Sequence, residues 1–195
     1  GKKDTESMKI IIGIALKLST GAGLLFLVAT LAFPEPILRL FTNEEAVIVE
    51  AMKYMKYIRF TYVFLSITQC LIAAMRCVER VKIGMYLSSV TFCINVFLNW
   101  VLIFGKLGAP ALGIEGAAIA TLIARMIELP IMVVYVRFVD KKLNLRFKDL
   151  FKHDTDLFKD FFRYGFPVIL GDIFWGINLA AQGAIVGRLG STALA

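Results

Sequence analysis

The 195 residues include one histidine, three cysteines and two tryptophans, and only 19% of the chain is charged. His153 stands in a charged stretch with no neighbouring ligand residue, which makes a solvated surface role its default. Cys70, Cys77 and Cys93 are an odd number without the paired spacing of a metal site. In or beside apolar runs they read as small buried residues. No nucleophile stands with a base, no metal cluster appears, and Gly105 with Gly108 is too weak a signal for a phosphate loop. Enzymatic chemistry is therefore the least favoured class. Alternating apolar strands, as a membrane barrel needs, are also lacking.

What the chain has is apolar residues: 58% hydrophobic, 16 phenylalanines and a mean hydropathy of +0.75. A soluble core of this size cannot hide that much apolar surface. A lipid-crossing helix needs about 20 mostly apolar residues, and five stretches qualify, at about 10–33, 57–75, 83–104, 114–136 and 164–187. A soluble bundle would need polar helix faces that these runs lack. The expected fold is all-α, a polytopic membrane helix bundle. The opening GKKDTESMK reads as the middle of a loop and the closing GRLGSTALA follows directly on a span, so the sequence is expected to be a fragment of a longer protein.

The net charge of +7 is unevenly placed. With spans alternating in direction, one side carries Lys2, Lys3, Lys9, Arg76, Arg80, Lys82, Arg137, Lys141, Lys142, Arg146, Lys148, Lys152, Lys159 and Arg163. The other carries Arg39, Lys53, Lys56, Arg59, Lys106 and Arg188, while Lys17 and Arg125 lie within spans. Positive charge favours the cytoplasm, which places the first loop inside. The loop at 140–163 interleaves Leu143, Leu145, Phe147, Leu150, Phe151, Leu157, Phe158, Phe161 and Phe162 with charges. It is expected to be an amphipathic segment on the inner interface, with its basic residues near anionic headgroups. A nucleic-acid patch has no second feature to support it, so nucleic acid is not an expected partner. On the outer side, PEPILRLFTNEEAVIVEAMKYM is expected to form a short amphipathic helix leading into the second span.

The stretch from Leu98 to Arg125, LNWVLIFGKLGAPALGIEGAAIATLIAR, breaks an apolar run and then resumes with small residues. Backbone in lipid must satisfy its own polar groups, so the chain turns where water begins. Gly105, Gly108 and Pro110 supply that turn, and the next helix restarts after Gly113. Gly116, Ala120 and Ala124, four apart, form a smooth stripe for close packing against a neighbouring helix.

That stretch resembles the multidrug and toxic compound extrusion (MATE) transporters at the hairpin joining their fifth and sixth helices. GKKDTE before the first span, FPEPILRLFT after it, and RYGFPVIL followed by GRLGSTALA carry the resemblance over essentially the whole chain. It implies a two-lobed, twelve-helix transporter in the plasma membrane, of which this chain holds helices three to seven. Residues 1–139 would end the N-terminal lobe, 140–163 would be the cytoplasmic interlobe linker, and 164–195 would open the C-terminal lobe. The implied activity is antiport: small cationic organic compounds leave by alternating access, driven by a proton or sodium gradient. The resemblance implies membrane lipid and the remaining helices of the parent as partners, and no cofactor beyond the coupling ion. One branch of the family carries a coupling Glu on the seventh helix at the place where Trp175 stands here, one turn beyond Asp172; another uses an Asp on the first helix. Either ion therefore stays open.

Polar side chains inside spans are expensive and so are pathway candidates. Asp172, Trp175, Leu179 and Gln182 fall on one helical face. Charge, a π surface and an amide together suit a hydrophobic cation, while the competing reading pairs Asp172 with a basic group elsewhere in the parent. Pro167 and nearby glycines give this helix places to bend. Asn95 and Asn99, with Ser88 and Thr91, form a polar stripe that either bonds neighbouring helices or lines a cavity. Gln69 and Thr61 do the same more weakly on the second span. Arg125 and Glu128, three apart, suit a structural ion pair, with Pro130 a candidate kink. Lys17 is within snorkelling reach of the interface. Two alternatives stay open: a lipid-linked oligosaccharide flippase of the related superfamily, which would want a more cationic cavity, and a membrane sensor or scaffold that does not transport.

Overall fold

An apolar chain in lipid can satisfy every backbone N–H and C=O within a helix, and this chain takes that solution almost throughout. The computed structural model describes residues 2–140, 142–152 and 154–188, without the side chains of residues 2–4, 147 and 188. Expectations placed on Lys141, His153 and residues 189–195, and on the side chains of Lys2, Lys3, Phe147 and Arg188, fall outside the described residues. The helices are α1 (Lys2–Ala32), α2 (Pro34–Arg39), α3 (Glu45–Ile58), α4 (Thr61–Cys77), α5 (Val81–Phe104), α6 (Ile114–Val134) and α7 (Thr155–Arg188). No strand occurs among the described residues.

Four segments are long and apolar enough to cross a membrane: Thr5–Ala32, Val81–Phe104, Ile114–Val139 and Thr155–Gly187. α3 and α4 are long and apolar enough for a fifth segment only when taken together, and they meet at a bend of 54°, the shape of a broken span or a re-entrant loop. Thr61 Oγ1 donates to the Ile58 carbonyl at 2.6 Å, closing the corner. The 31 residues of α1 rise about 46 Å at 1.5 Å each, more than the roughly 30 Å of hydrocarbon, so its polar first turns stand clear of the apolar layer.

The segment after the first span forms two helices where the sequence suggested one. Pro34 opens α2 at a position that needs no N–H. The chain then breaks at Thr42, whose hydroxyl accepts the Glu44 N–H at 3.2 Å. Arg39 bridges Glu35 and Glu45, both at 2.8 Å, across this corner. α3 then lies over α6, where Tyr57 Oη donates to Glu115 at 3.3 Å.

α7 starts at Thr155 and runs 34 residues through Pro167 without interruption. Its early start has a local cause: Asp154 Oδ1 accepts the N–H groups of Asp156 at 2.9 Å and Leu157 at 3.1 Å, an N-terminal cap. Pro130 likewise sits within a continuous α6, and the irregularity appears downstream as a π turn at Tyr135–Val139.

The basic loop, expected to lie on the inner interface, packs into the bundle. Asp140 Oδ2 accepts the Leu143 N–H at 2.8 Å, and the turn drives Leu143 and Leu145 into the buried cluster of Ile12, Leu71, Ile72, Met75, Leu87, Met132 and Val136. Phe151 keeps the expected outward position, at 80% exposed, and Phe158 is also exposed. The core therefore sits at the basic end of the bundle and is plugged by its loop. Salt bridges fasten the plug: Lys9 to Asp149 at 3.5 Å, Lys152 to Asp149 at 3.4 Å, Lys152 to Glu6 at 2.7 Å and Lys142 to Glu79 at 3.2 Å. Burial works against the charge on Asp149. The Arg146 N–H, Lys9 and Lys152 outweigh it and hold the carboxyl below its ordinary range.

Candidate functional site

The contact between α5 and α6 builds a polar site inside an apolar bundle. Gly105 ends α5 in the left-handed conformation at φ +65°, where a Cβ would lie 2.8 Å from the Ala111 nitrogen. Gly108 (φ +83°) and Gly113 (φ +54°) complete a reversal through Pro110 that residues with side chains adopt poorly. The two helices then run against each other so closely that a Cβ on Gly116 would stand 2.6 Å from the Leu102 carbonyl oxygen. Ala120 and Ala124 continue the stripe and are buried. It faces protein neighbours, as close helix packing in lipid requires.

This closeness brings Asn95 on α5 to Thr121 on α6. Asn99 Nδ2 donates to Asn95 Oδ1 at 2.9 Å, Asn95 Nδ2 donates to Thr121 Oγ1 at 3.3 Å, and Thr121 passes its own proton to the Ala117 carbonyl at 2.9 Å. Each hydroxyl and amide hydrogen used here points the same way along the chain. The open end is an acceptor, Asn99 Oδ1, which is buried and has no hydrogen-bond partner. An unpaired buried carbonyl oxygen is costly, and it suits an incoming donor or cation. Asn95 bonds a neighbouring helix, one of the two roles the sequence allowed for it. Thr121 was not singled out in the sequence, where it looks like part of the small-residue stripe; its lone hydroxyl facing an Asn pair was the available signal.

The other polar candidates are placed apart from this cluster. Arg125 and Glu128 form an ion pair on α6, with the Glu128 side chain 1% exposed. Gln69 on α4 is exposed, while its neighbour Thr68, which sequence reasoning passed over, is buried with an unpartnered hydroxyl. Nothing in the sequence distinguished Thr68 from an ordinary helix-surface threonine. On α7, Asp172, Trp175 and Gln182 are all exposed. Gln182 donates to Asn178 at 3.2 Å, and α7 approaches the rest of the chain tightly at Gly187, where a Cβ would stand 2.4 Å from the Phe41 carbonyl. Asp172 and Trp175 thus share an exposed face of α7, and neither has a hydrogen bond or ion pair to the Asn99 cluster.

A family model described as MatE matches residues 1–101. The chain belongs to the MatE family. That match ends before the glycine hairpin, but longer alignments include it. The probable multidrug resistance protein YoeA of Bacillus subtilis is 29% identical over 199 residues, covering 100% of this chain and 42% of its own length. The multidrug resistance protein NorM of Vibrio cholerae is 28% identical over 170 residues, or 87% of this chain and 37% of that protein. The chain therefore spans about two fifths of the length of these MatE relatives. Two solved structures share its fold at 19% identity. One, titled as an inward-facing multidrug resistance MATE family transporter of the MOP superfamily, superposes with a TM-score of 0.65 over 84% of this chain and 41% of that one. The other, titled as a MOP superfamily transporter from Pyrococcus furiosus whose binding pocket has reverse polarity, gives 0.72 over 95% and 46%. A multi-pass membrane helix bundle of MatE type is the fold.

Proposed function

We propose that this chain works as part of a two-lobed, twelve-helix exporter in the plasma membrane. It expels small cationic organic compounds by alternating access and draws on a proton or sodium gradient. Residues 1–139 serve the N-terminal lobe, the basic loop at 140–163 is cytoplasmic, and residues 164–195 open the second lobe. The observation that carries the reading is the Asn99–Asn95–Thr121 chain, whose free end is a buried acceptor within a membrane bundle. Such an expensive arrangement suits an ion or substrate path. Relatives named for multidrug resistance support the same class.

Asp172 and Trp175, on an open face of α7, suit the charge and ring of an aromatic cation. A flippase reading is weaker because Glu128 already neutralises Arg125. A sensor or scaffold has no specific observation in its favour among the described residues. The test is efflux of ethidium from cells making the full-length protein. Asn99→Leu should abolish efflux at normal expression, whereas undiminished efflux would remove this cluster from the path. For orientation, an impermeant thiol reagent should reach a cysteine placed at 108 and miss one at 148; the opposite pattern would invert the topology.

A further inference from the structure

At the basic end of the bundle, α1, α4, the end of α6 and the loop line a half-open cavity of about 540 Å³, within the roughly 300–1,000 Å³ of small-molecule sites. Its interior is almost wholly apolar, reaching from Phe151 on the loop to Gly21 and Leu24 on α1. Three cations, Lys17, Arg137 and Arg146, stand on its wall, and no acidic residue lines it. None of the three has a carboxylate partner among the described residues. The nearby Asp149 is already engaged by Lys9 and Lys152. Arg137 lies over the Phe138 ring at 5.2 Å instead. An apolar slot whose only charges are unpaired cations is complementary to a ligand with a hydrocarbon tail and an anionic head.

We propose that this cavity binds an anionic phospholipid of the inner leaflet, one acyl chain inside and the headgroup phosphate held by Lys17, Arg137 and Arg146. Basic pockets between membrane helices at the cytoplasmic side attract such headgroups. The assignment to the inner leaflet rests on the orientation proposed above, whereas the binding itself does not depend on transport. The bound lipid bridges α1, α6 and the loop, so it adds to the fastening of the core-plugging segment.

The test is native mass spectrometry of the full-length protein in detergent, with phosphatidylglycerol and phosphatidylcholine of matched chains. Wild type should retain phosphatidylglycerol preferentially, and each of Lys17→Gln, Arg137→Gln and Arg146→Gln should weaken retention about fivefold. Gly21→Leu fills the slot and leaves every cation in place. A Cβ there meets nothing within 4 Å, so the helix tolerates it, yet it should lose the lipid as well. Excess inorganic phosphate should not displace the lipid. If phosphate competes fully and Gly21→Leu has no effect, the site holds a free anion and the proposal fails. It fails too if wild type retains both lipids equally, the result expected when another segment of the protein fills the cavity. Dye efflux measured on the same variants is a separate readout, so losing lipid without losing efflux would leave the exporter reading intact.

Discussion

Gly116→Ala adds one methyl group, and the geometry says what it must displace. The new Cβ would stand 2.6 Å from the Leu102 carbonyl oxygen and 2.7 Å from its carbon, and both are backbone atoms that cannot swing aside. Ordinary contact begins at 3.4 Å, so α5 and α6 must part by about 0.8 Å. A gap of that size forfeits about a quarter to a half of the dispersion attraction along the seam. It also ends the Asn95–Thr121 hydrogen bond, already long at 3.3 Å. Overpacking of this kind costs about 1–3 kcal/mol, and an interhelical hydrogen bond in a membrane contributes about 0.6 kcal/mol. The expected loss is therefore about 2–4 kcal/mol, read as reversible unfolding of the full-length protein in bilayers by steric trapping. Gly21→Ala is the matched control, because its Cβ meets nothing and alanine favours helix by up to about 1 kcal/mol. If the two variants unfold alike, the close approach of α5 and α6 is not what holds this site.

Further outcomes follow from other residues. Arg125→Gln strands the buried Glu128 carboxylate and should cost up to about 3 kcal/mol, while Arg125→Gln with Glu128→Gln should recover most of it in the same unfolding assay. The Asp149 carboxyl is held below its ordinary value, so its contribution is complete above about pH 4 and fades as pH falls through the folded-state value; hydrogen exchange across 142–152 should quicken in acid, and Asp149→Asn should make it fast at neutral pH. Lys152 is held above its ordinary value, first by Glu6 and then by Asp149, so its share fades only as pH rises through that raised value. Asp172→Asn keeps the shape and removes the charge, and should abolish gradient-driven dye export with expression intact, whereas Trp175→Ala should weaken dye affinity more than coupling; normal export and pH dependence in Asp172→Asn would make Asp172 a structural residue.

The sequence was most legible where one local rule dominates. Long apolar runs admit helices alone, and three glycines with a proline marked the α5–α6 reversal and the stripe behind it. The Arg125–Glu128 pair was readable from a spacing of three. What stayed hidden depended on distant parts of the chain. Leu143 and Leu145 alternate with charges like an interfacial segment, yet the Asp140 turn delivers them to Met75 and Met132, which nothing local encodes. The bend between α3 and α4 arises from Thr61 taking up a backbone carbonyl, a choice an isolated threonine does not announce. The Asn pair was visible as a stripe, but its partner Thr121 and the orphaned Asn99 oxygen emerge only when Gly116 lets the helices close. Asp172 and Trp175 share a face by periodicity, and that face is exposed.

The measurement closest to the central claim is ethidium uptake by proteoliposomes holding the full-length protein inside out, with a proton or a sodium gradient imposed separately. One of the two gradients should drive ethidium into the lumen against its concentration, and collapsing that gradient should stop it. Uptake that ignores both gradients, or none with either while the protein remains folded, would contradict cation-coupled export.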